Sequence, residues 1–284
     1  MDQDRRGFLA TLGVATIGLA TGRSSLAEFP SLSARSAKLS RIGIQLYTLR
    51  KQAAADLPGT LAQIAKIGYK EVELAGFYDR TATDFRELLN KNGLTAPSSH
   101  ISLTAIQTAS EKTFGDAKTM GNEWIVVPSP PPGKYDTVDD WKHLADQFNT
   151  AAKQVKAAGF RFAFHNHNDV FKKVGDVLPI ELLMKETDPA LVSYEMDVYW
   201  VTNGGGNPVE LLTRYPERFK LLHLKDSMGP PDHKMVDVGA GMIDFKAILA
   251  RAKAAEHYFV EHDQPPNGVA DAAASYSYLS KLEY

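Results

Sequence analysis

The chain has 284 residues, with 32 Lys plus Arg against 34 Asp plus Glu and a net charge of -2 with histidine neutral. That balance excludes the broad basic face of a general nucleic-acid binder. The absence of cysteine excludes disulfides, thiolate nucleophiles and cysteine-ligated clusters. Apolar residues at 44%, with Gly 21 and Pro 15, describe a globular chain long enough to bury a large core.

The first stretch is a different material. Arg5-Arg6 and Phe8-Leu9 open it, a soft apolar run follows to Ala20, and Ser25-Leu26-Ala27 offers a small-residue cleavage site. Basic start, apolar middle and small-residue end make an export signal. The adjacent arginines resemble the bacterial twin-arginine signal, which implies a periplasmic protein and the twin-arginine export machinery as a partner. An ordinary export signal or an uncleaved membrane anchor is the alternative. The expected division is a signal over 1–27, a polar linker over 28–40 and a folded domain over 41–284.

From Arg41 the pattern is regular. Strands are expected at Ile42–Leu46, Tyr69–Leu74, Leu94–His100, Glu123–Val127, Phe160–His165, Leu191–Asp197, Phe219–Leu224 and Tyr258–Glu261. Helices are expected at Ala53–Ile67, Thr81–Asn92, Leu103–Met120, Thr137–Ala158, Pro179–Lys185, Pro208–Tyr215, Asp244–Ala255 and Val269–Leu279. Gly68, Gly93, Gly121 and Gly159 stand where helices should stop. Eight strand–helix units with short apolar strands predict a closed (β/α)8 TIM barrel in one domain, an α/β fold. An open doubly wound sheet is the rival, but no Gly-rich phosphate loop follows any strand.

Side chains alternate along a strand, and barrel active sites lie at the C-terminal strand ends. Gln45, Glu73, His100, His165, His167, Glu195, Asp197, His223, Lys225, Glu261 and Asp263 all fall there. Val72, Leu74, Met196, Leu222, Leu224 and Val260 hold the opposite parity. Carboxylates and imidazoles crowded into one mouth need compensation. A divalent cation is the simplest one, and mixed imidazole and carboxylate donors suit Mn, Zn, Co or Fe. Tyr47, Trp124 and Trp200 offer flat apolar contact to a ring.

Four stretches carry a family resemblance: Tyr69-Lys-Glu-Val-Glu-Leu, His165-Asn-His-Asn, Glu195-Met-Asp-Val-Tyr-Trp-Val and His223-Leu-Lys-Asp-Ser. Val238-Gly-Ala-Gly and Val260-Glu-His-Asp add to them. The sequence resembles the sugar phosphate isomerase/epimerase family, the xylose isomerase-like TIM barrels. These include tagatose and psicose epimerases, inosose dehydratase and endonuclease IV. The resemblance implies a metal held by Asp197, His223 and Glu261, with His165 at the strand-five position where the epimerases have Glu. It implies proton transfer by Glu261, His165, His167 or Lys225, and substrate contacts from Gln45, Glu73, His100, Glu195 and Trp200. Trp200 stands where endonuclease IV would place a cluster histidine, which argues against DNA as substrate.

The implied activity is isomerisation or epimerisation of a non-phosphorylated sugar through an enediolate. A lyase, dehydratase or hydrolase acting on a keto-sugar or 3-keto-glycoside is the alternative, and a non-catalytic sugar-binding barrel is the third reading.

Overall fold

Eight parallel strands close into a barrel in the computed structural model, which describes residues 37–284. The expected export signal and most of the expected linker lie outside the described residues. The barrel strands are β1 (Gly43–Gln45), β2 (Glu71–Leu74), β3 (Thr95–His100), β4 (Trp124–Val127), β5 (Arg161–His165), β6 (Val192–Asp197) and β7 (Phe219–Leu224). After β7 a small antiparallel pair, β8 (Asp226–Ser227) and β9 (Met235–Val236), interrupts the sequence. The eighth barrel strand, β10 (His257–Val260), lies between β7 and β1 and closes the ring. The expected eight-stranded TIM barrel is therefore observed.

Helices ring the sheet: α1 (Arg50–Ala55), α2 (Leu57–Ile67), α3 (Ala82–Lys91), α4 (Leu103–Thr108), α5 (Ser110–Met120), α6 (Val138–Ala157), α7 (Pro179–Glu186), α8 (Val198–Asn203), α9 (Pro208–Arg214), α10 (Phe245–Arg251) and α11 (Val269–Leu279). Their ends follow local chemistry. Thr137 and Asp140 form a reciprocal capping box at the start of α6. Gly121 ends α5 in the left-handed region at φ 72°, which a side chain would strain.

Two expected helices are broken. Asp56 divides Ala53–Ile67 because its carboxylate accepts from the Gly59 N–H and so caps a new helix. Leu103–Met120 divides at Ala109, which leaves the helical region at ψ 34°. Helix α8 was not expected. It starts when Asp197 Oδ1 accepts from the Trp200 N–H, so one carboxylate oxygen of Asp197 serves as a helix cap.

Strand parity separates two cores. Outward residues such as Val72, Ile125, Phe162, Tyr194, Leu222 and Val260 pack under the helices. Trp124, Val126, Ala163, Leu221 and Phe259 fill the barrel interior. Gly43 is dictated by this filling, since a Cβ there would meet the Phe259 ring at 2.4 Å. Trp124 is fully buried beneath Arg161, whose guanidinium lies 3.7 Å from its ring centre, so it is no platform for a sugar. Below, Glu71 is buried and accepts from His257 at 2.9 Å. The interior is thus apolar in the middle, with the Glu71–His257 pair below it and the larger polar layers above.

Candidate active site

Parallel register aligns the polar strand ends. His165 pairs with Glu195 and Asp197 with His223, while β1 sets Gln45 beside Glu73. Two storeys result. The lower one holds Gln45, Glu73, His100, Glu195 and parts of the His165 and His223 rings. The upper one holds Asp197, Lys225, Glu261 and Asp263.

In the lower storey Glu195 Oε2 gathers three imidazoles, with His100 Nε2 at 2.9 Å, His165 Nδ1 at 3.0 Å and His223 Nε2 at 3.1 Å. Glu73 Oε2 accepts from Gln45 Nε2 at 2.8 Å and His223 Nε2 at 2.5 Å, and lies 3.2 Å from His100 Nε2 as an ion-pair partner. An ionised carboxylate only accepts, so each of these ring nitrogens carries a hydrogen. Donation by His165 Nδ1 leaves its Nε2 lone pair free, 3.7 Å from Asp197 Oδ2. The protein has thereby chosen the tautomer of a histidine facing the upper storey.

In the upper storey Lys225 Nζ sits 2.9 Å from Asp197 Oδ2, 2.8 Å from Glu261 Oε2 and 2.8 Å from Asp263 Oδ1. His223 Nδ1 lies 2.7 Å from Glu261 Oε2. Lys225 therefore serves three carboxylates across the barrel mouth and not its neighbour Asp226. Asp226 accepts from the N–H groups of Ser227, Gly239, Gly241 and Ile243 at 2.8 to 3.1 Å and anchors the loop after β9.

Electrostatics follow the two storeys. Burial pushes Asp197 up to about 6, although Lys225 and His223 oppose the rise. Burial also raises Glu261, but Lys225 and His223 outweigh it and hold the carboxyl well below its usual range. Burial lowers Lys225, while Asp197, Glu261 and Asp263 more than reverse this and keep it cationic. His100 is pushed up to about 9, since Glu73 and Glu195 overcome its burial. His165 is held well below the usual histidine range by burial and by His223. His167 falls to about 4 through burial and Lys225, so it is a neutral base at pH 7.

Asp197, His223 and Glu261 place one ligand atom each within 4.8 Å of one another. His100, His165, Glu195 and His223 form a second such group in the lower storey. Asp197 Oδ2 takes no hydrogen bond, its contact with Lys225 being an ion pair outside hydrogen-bonding geometry, and Glu195 Oε1 is buried without a partner. Nitrogen and oxygen donors held this way fit a divalent ion. Asp197, His223 and Glu261 would hold it, with the free Nε2 of His165 nearby.

A cavity of about 490 Å³ opens above, lined by Tyr47, Arg50, His100, His165, His167, Lys225, Glu261 and Asp263 among others. The His167 ring lies against His165 and Trp200, with centroids 4.9 and 5.5 Å away. The resemblance assigns substrate contacts to Gln45, Glu73 and Glu195, and the structure places these residues in the lower storey. All three have no exposed surface; Glu73 and Glu195 carry the histidines from below, and Gln45 donates to Glu73. His100 does line the cavity, and Trp200 stands behind His167. Arg50 and Gln264 line it too and escaped the sequence reading, because Arg50 starts α1 and Gln264 lies in the loop after the eighth barrel strand, where strand parity says nothing.

The lower carboxylates set ring orientation, so Glu195→Gln should weaken divalent-ion affinity about 10- to 100-fold. Titration calorimetry with Mn2+ measures this, and unchanged affinity would show that the rings are held by packing alone.

A barrel mouth with buried ligand groups, a poised cation and an open cavity is that of an enzyme. The sequence is 25% identical to inosose dehydratase of Geobacillus kaustophilus over 261 residues, covering 81% of this chain and 80% of that protein. The structure is similar to a sugar phosphate isomerase/epimerase from Parabacteroides distasonis at a TM-score of 0.75 and 30% identity, covering 87% of this chain and 95% of that one. It shares its fold with the IOLI protein solved with a zinc atom, at a TM-score of 0.67 and 17% identity, covering 85% of this chain and 95% of that one. Residues 61–279 match the family described as xylose isomerase-like TIM barrel. With the closed barrel and its polar mouth, that match makes this chain a member of the xylose isomerase-like TIM barrel family.

Proposed function

We propose that this chain is a metal-dependent lyase of the dehydratase type, acting on a keto-sugar or a keto-cyclitol. The observation that carries the reading is the pairing, in one cavity, of a neutral base with a fixed cation. His167 has no hydrogen-bonding partner among the described residues, and the Lys225 ammonium lies on the same cavity wall. The dehydratase-named relatives support the same direction. Epimerisation by two opposed glutamates lacks its strand-five partner, since His165 occupies that position.

The chemistry balances without redox. His167 takes the proton next to the substrate carbonyl, and the C–H electron pair moves toward that carbonyl. The pair then forms a carbon–carbon double bond as the C–O bond one carbon further breaks. The departing hydroxide leaves as water by taking the proton that His167 carries, which returns His167 to its neutral form. Lys225 holds negative charge developing on substrate oxygen as a cation whose position three carboxylates fix. A divalent ion at Asp197, His223 and Glu261 would polarise the carbonyl and make the neighbouring proton more acidic. The buried lower storey keeps the histidines from turning during this work.

His167→Ala should lower kcat by about 10²- to 10⁴-fold, with little change in divalent-ion affinity. The assay follows enone absorbance from a keto-inositol or a keto-glucoside in the presence of Mn2+. Solvent deuterium entering a product that has lost no water would overturn the lyase reading in favour of an epimerase or isomerase.

The expected periplasmic location and the twin-arginine partner remain part of the proposal. Fractionation of cells producing the chain with Arg5-Arg6 replaced by Lys-Lys tests them, and unaltered distribution would refute them.

A further inference from the structure

Beside the main cavity lies a second one of about 250 Å³, and His100 lines both. The side cavity is a groove between the loop after β2 and helices α4 and α5. Its apolar walls are Leu74, Phe77, Ile101, Ala105 and Ala117, and the polar groups that share the lining are engaged within the protein: Ser99 donates to Asn122, Ser102 accepts from the Ala105 N–H, Thr113 donates to the Ala105 carbonyl and Asp116 pairs with Lys112. The main cavity is walled by Arg50, His167, Lys225, Glu261 and Asp263, so the two differ in chemistry although they adjoin. A void of about 150 Å³ suffices for a benzene-sized ring. The main cavity therefore exceeds one hydroxylated ring, and the groove by itself takes a further ring without hydroxyls.

We infer that the substrate carries an apolar, ring-sized substituent on its sugar or cyclitol, and that this substituent lies in the groove past His100. A second hydroxylated sugar would leave its hydroxyls facing Leu74, Phe77 and Ile101, where they lose hydrogen bonds to water. An apolar ring loses none and gains from burial. His100 stands at the junction with Nε2 committed to Glu195 and Glu73, so its ring marks where the polar portion ends. The inference rests on the reading of the main cavity as a carbohydrate site. It names the substrate's second half and does not depend on which bond the enzyme breaks.

Binding of two unreactive probes tests it on the Mn2+-loaded protein. Titration calorimetry compares para-nitrophenyl β-glucoside with methyl β-glucoside. The aryl probe should bind about tenfold tighter or more. Ala105→Phe, which fills the groove from α4, should remove that preference and leave methyl β-glucoside as in the parent. Phe77→Ala, which strips one wall instead of filling the space, should reduce the preference and serves if the larger residue impairs folding. Equal affinity for the two probes, no binding of either, or a preference that survives both substitutions overturns the groove assignment. Because elimination is not measured, failure here is separate from failure of the lyase reading. A protein that produces an epimer yet prefers the aryl probe would keep the groove and lose the lyase.

Discussion

Replacing His223 with alanine should leave the protein without its divalent ion after dialysis and reduce turnover by about 10³-fold or more. Two effects combine. The ring belongs to both ligand groups, with Nδ1 directed at Glu261 and Nε2 at Glu73 and Glu195. Loss of the ion removes several kcal/mol of charge stabilisation at the developing oxyanion, which corresponds to about 10³ in rate. The ring is also the partner of three buried carboxylates. Glu73, Glu195 and Glu261 raise its pKa well above the usual histidine value against the burial that lowers it. Its removal leaves them uncompensated, and deleting one partner of a buried ion pair costs about 3–5 kcal/mol. His223→Ala should therefore also unfold at lower denaturant concentration than the parent. Metal analysis and urea denaturation measure the two effects independently. Parent-like ion content in this variant would remove His223 from the site, whatever happened to activity.

The second large effect concerns Lys225. Lys225→Met removes the one ammonium that Asp197, Glu261 and Asp263 share. Without added ion, the variant should lose about 3–5 kcal/mol of stability, because three carboxylates face one another across the barrel mouth with less compensation. Saturating Mn2+ should restore a large part of this, since a cation bound only by the folded state stabilises it by mass action. The parent should gain less from the same ion, because Lys225 already supplies positive charge there. Thermal melts of both proteins, with EDTA and with Mn2+, give the comparison. Equal ion-induced shifts would mean that Lys225 and the ion do not share a field. Turnover should fall even with ion present, as the oxyanion loses a fixed donor.

Much of this site was legible in the sequence because a parallel barrel converts parity into position. Asp197, His223 and Glu261 share inward parity at the ends of β6, β7 and the eighth barrel strand, and the structure brings them within one ion's reach. Glu73 and Glu195 have the same parity but sit one step earlier on their strands, next to the histidine rings and below the cavity. Parity alone could not separate these storeys. Strand stagger sets the height of each residue in a barrel, and the register shift between Tyr194 and Glu195 alters it locally. Trp124 failed as a sugar contact for a related reason. It lies at the opposite end of its strand, paired in register with Arg161.

The sequence by itself determined the fold and the residue types of the mouth, since both follow from short-range periodicity repeated eight times. Hydrophobic alternation selected strands, glycine and capping residues ended helices, and the concentration of His, Asp and Glu at one strand end announced a charged site. Only the tertiary structure decided which groups stand above and which below, that Lys225 bridges three carboxylates instead of joining Asp226, and that a second, apolar groove meets the site at His100. Those outcomes depend on stagger, on ring closure and on contacts between residues far apart in the chain. A local pattern contains none of that information, because it is fixed only when the eighth barrel strand pairs with the first.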